Sequence, residues 1–452
     1  MLFLYGEDIA MMKRACCSCE LSTADRISNL PANVTDQILT SMPIKEAAKA
    51  SLWSKKWRNR WRSIPALVFD RKFGRIPLAS PSQVKLNKLM MKVYRVLLLH
   101  DGPIDKFVLS VPGLRPCPEI EHIILYLSDK VTDEFSLRFG ECRKVDPSGE
   151  KRVWAPGTGP VIQTSLTVGF SKLTALELKE VALASDFFEK FITKCPLLEK
   201  LTLLNCHGFE SPKLVAPRLK ALYFHSRFLV SFSFKCTPLL SLVSMLDPDE
   251  DDYESNIVIE GDDMDMVNVF ASLPALKQLN LGLELLISLM GSIPARLPTL
   301  LQHLTVLEIP KIILSCLKDA RILVCLIMSS PNLRCLTIRH DVGYQRSRPT
   351  TLIDSIQMLL EAAELDPYGT NGCLGCLESL NIHNGPGSES RIELELVKFV
   401  LAKAPQLRRV YIRPSRNVGH YRVAIHLKTM IGFKHASREA EIIYDWDERS
   451  VH

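Results

Sequence analysis

The chain has 452 residues, 47% of them apolar and 23% charged, so it is too long for one ordinary hydrophobic core and too apolar to be disordered over most of its length. Fifty-six Lys and Arg against 50 Asp and Glu leave a net charge of +6, with many basic residues set singly between apolar ones, so charge does not point to nucleic acid. Thirteen cysteines, an odd number scattered through apolar segments, read as free thiols of a reducing compartment, cytoplasmic or nuclear, not as a disulfide frame.

Residues 1–24 read as a flexible lead-in: Met1-Leu-Phe-Leu-Tyr5 is apolar, but Glu7 and Asp8 interrupt it before a signal-type core forms. Residues 25–70 carry dense helical punctuation. Leu30-Pro31 opens a turn, and Asn33 is placed to cap a helix bearing Val34, Ile38, Leu39 and Met42. Pro43 ends it, and a second helix begins near Ile44 with Ala47, Ala48, Ser51 and Leu52 on one face. Three short helices are expected, with Trp53, Trp57 and Trp61 as exposed indoles. About 45 residues supply a small core, so the segment calls for a partner. Lys55, Lys56, Arg58, Arg60 and Arg62 interleave with Trp57 and Trp61, which share a helical face at a spacing of four and leave the basic residues as the solvated side.

Beyond residue 70 a template Leu-x-x-Leu-x-Leu, with conservative swaps, recurs. Its copies begin at Leu173, Leu198, Leu219, Leu276, Leu304, Leu333, Leu377 and Leu407, with Ile120, Ile123 and Leu125 as an earlier one. Alternation at the last two positions is the period of a strand with one buried face. Pro196, Pro331 and Pro405 each follow an amphipathic pattern, so the unit reads as helix, Pro stop, strand. One unit alone leaves its apolar faces bare, so units must stack into a solenoid. Copy spacing, about 21 to 57 residues, implies degenerate or inserted repeats. Residues 140–160, the acidic run Asp247-Pro-Asp-Glu-Asp-Asp252 and Gly385-Pro386-Gly387 read as loops or turns, and the acidic run lacks the spacing of a calcium loop.

No catalytic constellation emerges. Cys373-Leu-Gly-Cys376 and Cys16-Cys-Ser-Cys19 lack the second half of a zinc site, the eleven His are dispersed, and no phosphate-binding, nucleophile-elbow or metalloprotease motif occurs. No catalytic residue, metal or cofactor is nominated. The longest uncharged apolar stretch, Leu285 to Ala295, is about half of the roughly 20 residues a membrane span needs.

The N-terminal segment resembles the plant F-box in Leu30-Pro31, Ile38-Leu39, the small residues Ala47 to Ser51, and Ser54-Lys55-Lys56-Trp57-Arg58. It departs where Trp53 replaces the usual Leu and Met42 a common one. The stretch from about Cys376 to Tyr444 resembles the FBD domain of plant F-box/leucine-rich-repeat proteins through Leu377-Glu-Ser-Leu-Asn-Ile382, Val397 to Pro405, Leu407-Arg-Arg-Val410 and Ala436 to Ile442. His100-Asp-Gly-Pro-Ile104 and Lys106 to Leu109 resemble the segment after the F-box in that group.

The resemblance implies an α/β chain: a three-helix F-box over 25–70, an irregular leucine-rich-repeat solenoid over 71–375 with a parallel sheet on its concave face, and a C-terminal FBD-like cap over 376–452. Leu30, Pro31, Val34, Ile38 and Leu39 would contact a Skp-type adaptor and through it a cullin scaffold, while the repeats hold an unknown protein substrate. The implied role is a non-catalytic substrate receptor of a ubiquitin ligase, with no nucleic-acid or membrane partner. The alternative is a leucine-rich interaction scaffold acting outside any ligase.

Overall fold

A computed structural model describes residues 30–50, 57–74, 83–115, 117–139, 144–145, 151–152, 169–206, 208, 212–226, 232–246, 266–282, 294, 296–312, 314, 317–340, 374–385, 391–414 and 418–445. The lead-in 1–24, Trp53, Lys55 and Lys56, the cysteines at 16, 17 and 19, Asp247–Asp252, Cys373 and most of 140–160 lie outside them. The chain divides into two compact units, Met1–Leu197 with Cys206–Gly208, and Leu198–Asn205 with Phe209–His452.

The first unit opens with helices α1 (Ala32–Thr40) and α2 (Ile44–Ala50) and a 3₁₀ turn, Arg60–Ser63. Pro31, not Asn33, occupies the cap position of α1, and no side chain caps the helix. The Pro31 carbonyl instead accepts both the amide and the hydroxyl of Thr35, at 3.0 and 3.1 Å. Pro43 opens α2, its carbonyl accepting the Glu46 and Ala47 amides, as suits a residue with φ preset for a first helical turn. Both helices pack on the 3₁₀ turn. The expected exposure of the tryptophans is wrong for the two that are described: Trp57 and Trp61 are each 2% exposed, in one core with Leu39, Ile44, Ala47 and Ala50. Ala47 and Ala50 offer little bulk, which leaves room for rings.

Four parallel strands follow in the order β1 (Ala66–Phe69), β2 (Ile104–Leu109), β3 (Val131–Arg138) and β6 (Ala175–Lys179). Helix α3 (Gln83–Leu99) precedes β2, and α4 (Pro118–Leu127) precedes β3. Two-residue strands β4 (Lys144–Val145) and β5 (Lys151–Arg152) pair antiparallel, and α5 (Ser185–Thr193) follows β6. Phe69, Phe107, Phe135 and Phe170 form a row of neighbouring rings, with centroids 5.6, 5.7 and 5.0 Å apart, the middle pair stacked and the outer two tilted. Ile120, Ile123 and Leu125 are not a repeat strand. They lie on α4, where Ile120, Ile123, Ile124 and Leu127 are buried at helical spacing and Leu125 is exposed.

The second unit is a parallel sheet in the order β7 (Lys200–Leu204), β9 (Ala221–His225), β11 (Leu242–Leu246), β12 (Gln278–Leu281), β13 (Val306–Ile312), β14 (Cys335–His340), β15 (Ser379–Gly385), β16 (Arg409–Pro414) and β17 (Glu441–Tyr444). Short strands β8 (Lys213–Val215) and β10 (Ser233–Cys236) pair parallel with each other. Helices α6 (Met266–Ala271), α7 (Leu317–Met328), α8 (Arg391–Lys403) and α9 (His420–Ile431) precede β12, β14, β16 and β17.

The template dictates this register. Its middle apolar position forms one ladder, Leu201, Leu222, Val243, Leu279, Leu307, Leu336, Leu380, Val410 and Ile442, each opposite the next. Its first Leu closes a turn: Leu219, Leu240, Leu276, Leu333 and Leu407 each donate an amide to the carbonyl three residues back, across Pro217, Pro238, Pro274, Pro331 and Pro405. Pro at the second turn position presets φ and needs no donor there, so the proline is a turn former rather than only a helix stop. Before β9 and β11 the back element is the strand β8 or β10 in place of a helix.

Candidate functional site

Leu30, Pro31, Val34, Ile38 and Leu39 come together on α1 and the turn before it. Pro31 is exposed, Leu30, Val34 and Ile38 are half-buried, and Leu39 is 1% exposed and belongs to the core beneath. The solvent-accessible apolar residues of this group are therefore the first four, with Leu39 fixing the helix that carries them.

The basic cluster does more than coat the surface. Arg60 Nη1 meets Asp36 Oδ1 at 2.8 Å and the Ala32 carbonyl at 3.3 Å, tying α1 to the 3₁₀ turn. Arg62 Nε donates to the Leu99 carbonyl at 2.6 Å and its Nη2 meets Asp101 Oδ2 at 2.8 Å, while the Asp101 amide returns to the Arg62 carbonyl at 2.8 Å. His100 Nε2 donates to the Ile64 carbonyl at 2.8 Å. A Cβ at Gly102 would stand 2.8 Å from Ser63 Cα, so glycine permits this close approach. The segment His100-Asp101-Gly102 thus clamps the helical module to the first strands.

The second surface is the outward face of the nine-stranded sheet, formed by side chains that alternate with the apolar ladder. Its rows read Thr202, Tyr223, Ser244, Asn280, Glu308, Thr337, Asn381, Tyr411 and, toward the strand ends, Arg339, His383 and Arg413. Acids and bases flanking these strands pair: Glu199 with Lys220 at 2.8 Å and Glu378 with Arg334 at 3.4 Å. In the first unit Glu177 meets Arg138 at 2.7 Å.

Residues 27–68 match the family model of the F-box domain, and residues 152–338 match that of the LRR repeats of FBD-associated F-box protein At5g56370. The F-box/FBD/LRR-repeat protein At1g13570 of Arabidopsis thaliana is 32% identical over 413 residues, 86% of this chain and 91% of that protein. The chain belongs to the F-box/FBD/LRR-repeat family. Two further Arabidopsis thaliana relatives of this F-box/FBD/LRR-repeat chain match over shorter spans. The putative F-box/FBD/LRR-repeat protein At4g03220 is 32% identical over 47% of this chain and 42% of its own length, and F-box/FBD/LRR-repeat protein At2g04230 is 36% identical over 21% and 20%.

Among the described residues of this F-box/FBD/LRR-repeat protein, no group of His, Cys, Asp and Glu could hold a metal ion, and no helix is long and apolar enough to cross a membrane. Cys376 lies 3.9 Å from Asn332 Oδ1. Burial pushes the thiols of Cys195 and Cys325 up to about 11, and burial together with a hydrogen bond to Glu119 pushes that of Cys117 up to about 12, which favours the protonated thiol at all three.

Proposed function

We propose that this protein is the substrate-receptor subunit of a Skp-cullin-F-box ubiquitin ligase. Residues 25–70 dock on the adaptor, the repeats over 71–375 select a protein substrate, and 376–452 form the FBD-like end. F-box domains generally bind Skp1-type adaptors, and proteins of the F-box/LRR type are generally non-catalytic. The observation that carries the reading is the open apolar face of Leu30, Pro31, Val34 and Ile38 on an F-box-matched helix. Covering such side chains yields roughly 25 cal/mol per Å² buried, the ordinary driving force of helix docking. The receptor supplies proximity: a tethered substrate holds its lysines near a charged ubiquitin carrier at raised effective concentration.

The test is co-purification of the full chain with a Skp-type adaptor, for wild type and for a Leu30→Ala, Pro31→Ala, Ile38→Ala variant. Capture by wild type and its loss in a variant with unchanged circular dichroism is the expected result. Failure of folded wild type to capture the adaptor overturns the ligase reading and leaves a scaffold acting outside one.

A further inference from the structure

Three consecutive strands carry a basic side chain at one level of the outward face. Arg339 on β14 is opposite His383 on β15, which is opposite Arg413 on β16. All three alternate with the buried Ile338, Ile382 and Ile412 and so share that face. With strands about 4.8 Å apart, the two arginines spring from points about 10 Å apart with an imidazole between them.

Two arginines and two carboxylates, Glu308 and Asp445, surround His383 here, and of the arginines only Arg413 has an ion-pair partner among the described residues. Arg413 Nε lies 3.4 Å from Asp445 Oδ2, and Asp445 also accepts the Tyr411 hydroxyl. The Arg339 side chain is exposed and makes no hydrogen bond or ion pair among the described residues. Glu308, on β13, faces the same region but pairs with neither arginine. The His383 imidazole is half-buried on this face. Burial, Arg339 and Arg413 all hold its pKa below the ordinary value, against the opposing pull of Glu308 and Asp445. The Tyr411 ring, its centroid 5.6 Å from that of His383, walls one side of the row.

We propose that Arg339, His383 and Arg413 form a binding site for anionic side chains of an extended protein segment, either one phosphorylated residue or two carboxylates on alternate residues. Guanidinium groups accept either oxyanion in bidentate geometry. Alternate side chains of an extended segment stand about 7 Å apart, a spacing that two long arginines about 10 Å apart can both reach. The inference rests on the substrate-receptor reading for its meaning and deepens it by naming the substrate class: proteins bearing an acidic or phosphorylated stretch.

Fluorescence anisotropy on the full chain, at constant ionic strength, would use three labelled Gly/Ser peptides carrying one phosphoserine, Glu-x-Glu or Lys-x-Lys. The anionic peptides are expected to bind and the Lys peptide not. Arg339→Ala and Arg413→Ala should each weaken binding by about tenfold or more, the loss expected for a charged hydrogen-bonding group. Arg218→Ala, which removes the same charge from an exposed turn of the same unit, should leave it unchanged. His383 ring signals should titrate at higher pH with the anionic peptide bound. Preference for phosphoserine or for Glu-x-Glu identifies which source of anion the row reads, and either supports the site. Absence of anionic binding, or an equal loss in Arg218→Ala, overturns it. Adaptor capture by Arg339→Ala is measured alongside, so failure of this site and failure of the ligase reading are told apart.

Discussion

Leu336→Ala puts the stacking logic of the second unit to a quantitative test. Leu336 is 0% exposed and stands in register between Leu307 and Leu380, themselves 0% exposed, so its side chain is packed against a neighbour on each side along the ladder. Truncating a fully buried Leu costs about 2–5 kcal/mol, the upper end applying where the surroundings cannot collapse. A parallel ladder pinned on both sides by backbone pairing has little freedom to collapse, so we expect a value above about 3 kcal/mol. In a repeat array each unit is coupled chiefly to its neighbours, so the loss should appear locally. Native-state amide exchange is the assay. Protection in β13, β14 and β15 should fall by at least about 150-fold, the equivalent of about 3 kcal/mol, while β7, five strands away, changes far less. Arg339→Ala, on the same strand but facing outward, should change protection by less than about 0.5 kcal/mol. Equal loss in β7 and β14, or no loss in β14, would refute the neighbour-coupled account.

Gly102→Ala forces a methyl to within 2.8 Å of Ser63 Cα and 2.9 Å of its carbonyl oxygen, backbone atoms that cannot swing aside, and should destabilise the first unit by about 1–3 kcal/mol, read as a fall in Tm. His426, on α9, is buried with Nδ1 3.1 Å from the Tyr444 hydroxyl, and burial followed by Arg422 holds its pKa below 6.5. Its neutral form is the folded one, so the stability it contributes is present above about pH 6.5 and lost as pH falls through its lowered folded value. Protection factors of α9 and β17 amides, taken against intrinsic exchange at each pH, should therefore fall from pH 7 to pH 5, and His426→Phe should flatten that dependence.

The repeated template announced the strands of the second unit because one Leu closes each turn and the next two fill the ladder, a demand that leaves few substitutes. β11 departs from the template because Val243 and Met245 meet the same demand with other side chains. Ile120, Ile123 and Leu125 satisfied the template by coincidence, while the buried spacing of Ile120, Ile123, Ile124 and Leu127 after Pro118 is helical. The proposed adaptor face is legible as residues but not as depth: Leu39 shares the pattern of Ile38 yet lies in the core, because α1 packs on the 3₁₀ turn that holds Trp61. The row Arg339, His383 and Arg413 was invisible, since 44 and 30 residues separate its members and only register aligns them.

The closed turns before these strands also separate the buried frame from the outward rows. Leu198 and Leu219 are 21 residues apart and Leu333 and Leu377 are 44, yet the strands they introduce enter the sheet at the same level. Added chain length is absorbed between turns and does not shift the rows. Each outward position can then be exchanged one residue at a time while the buried ladder keeps its register.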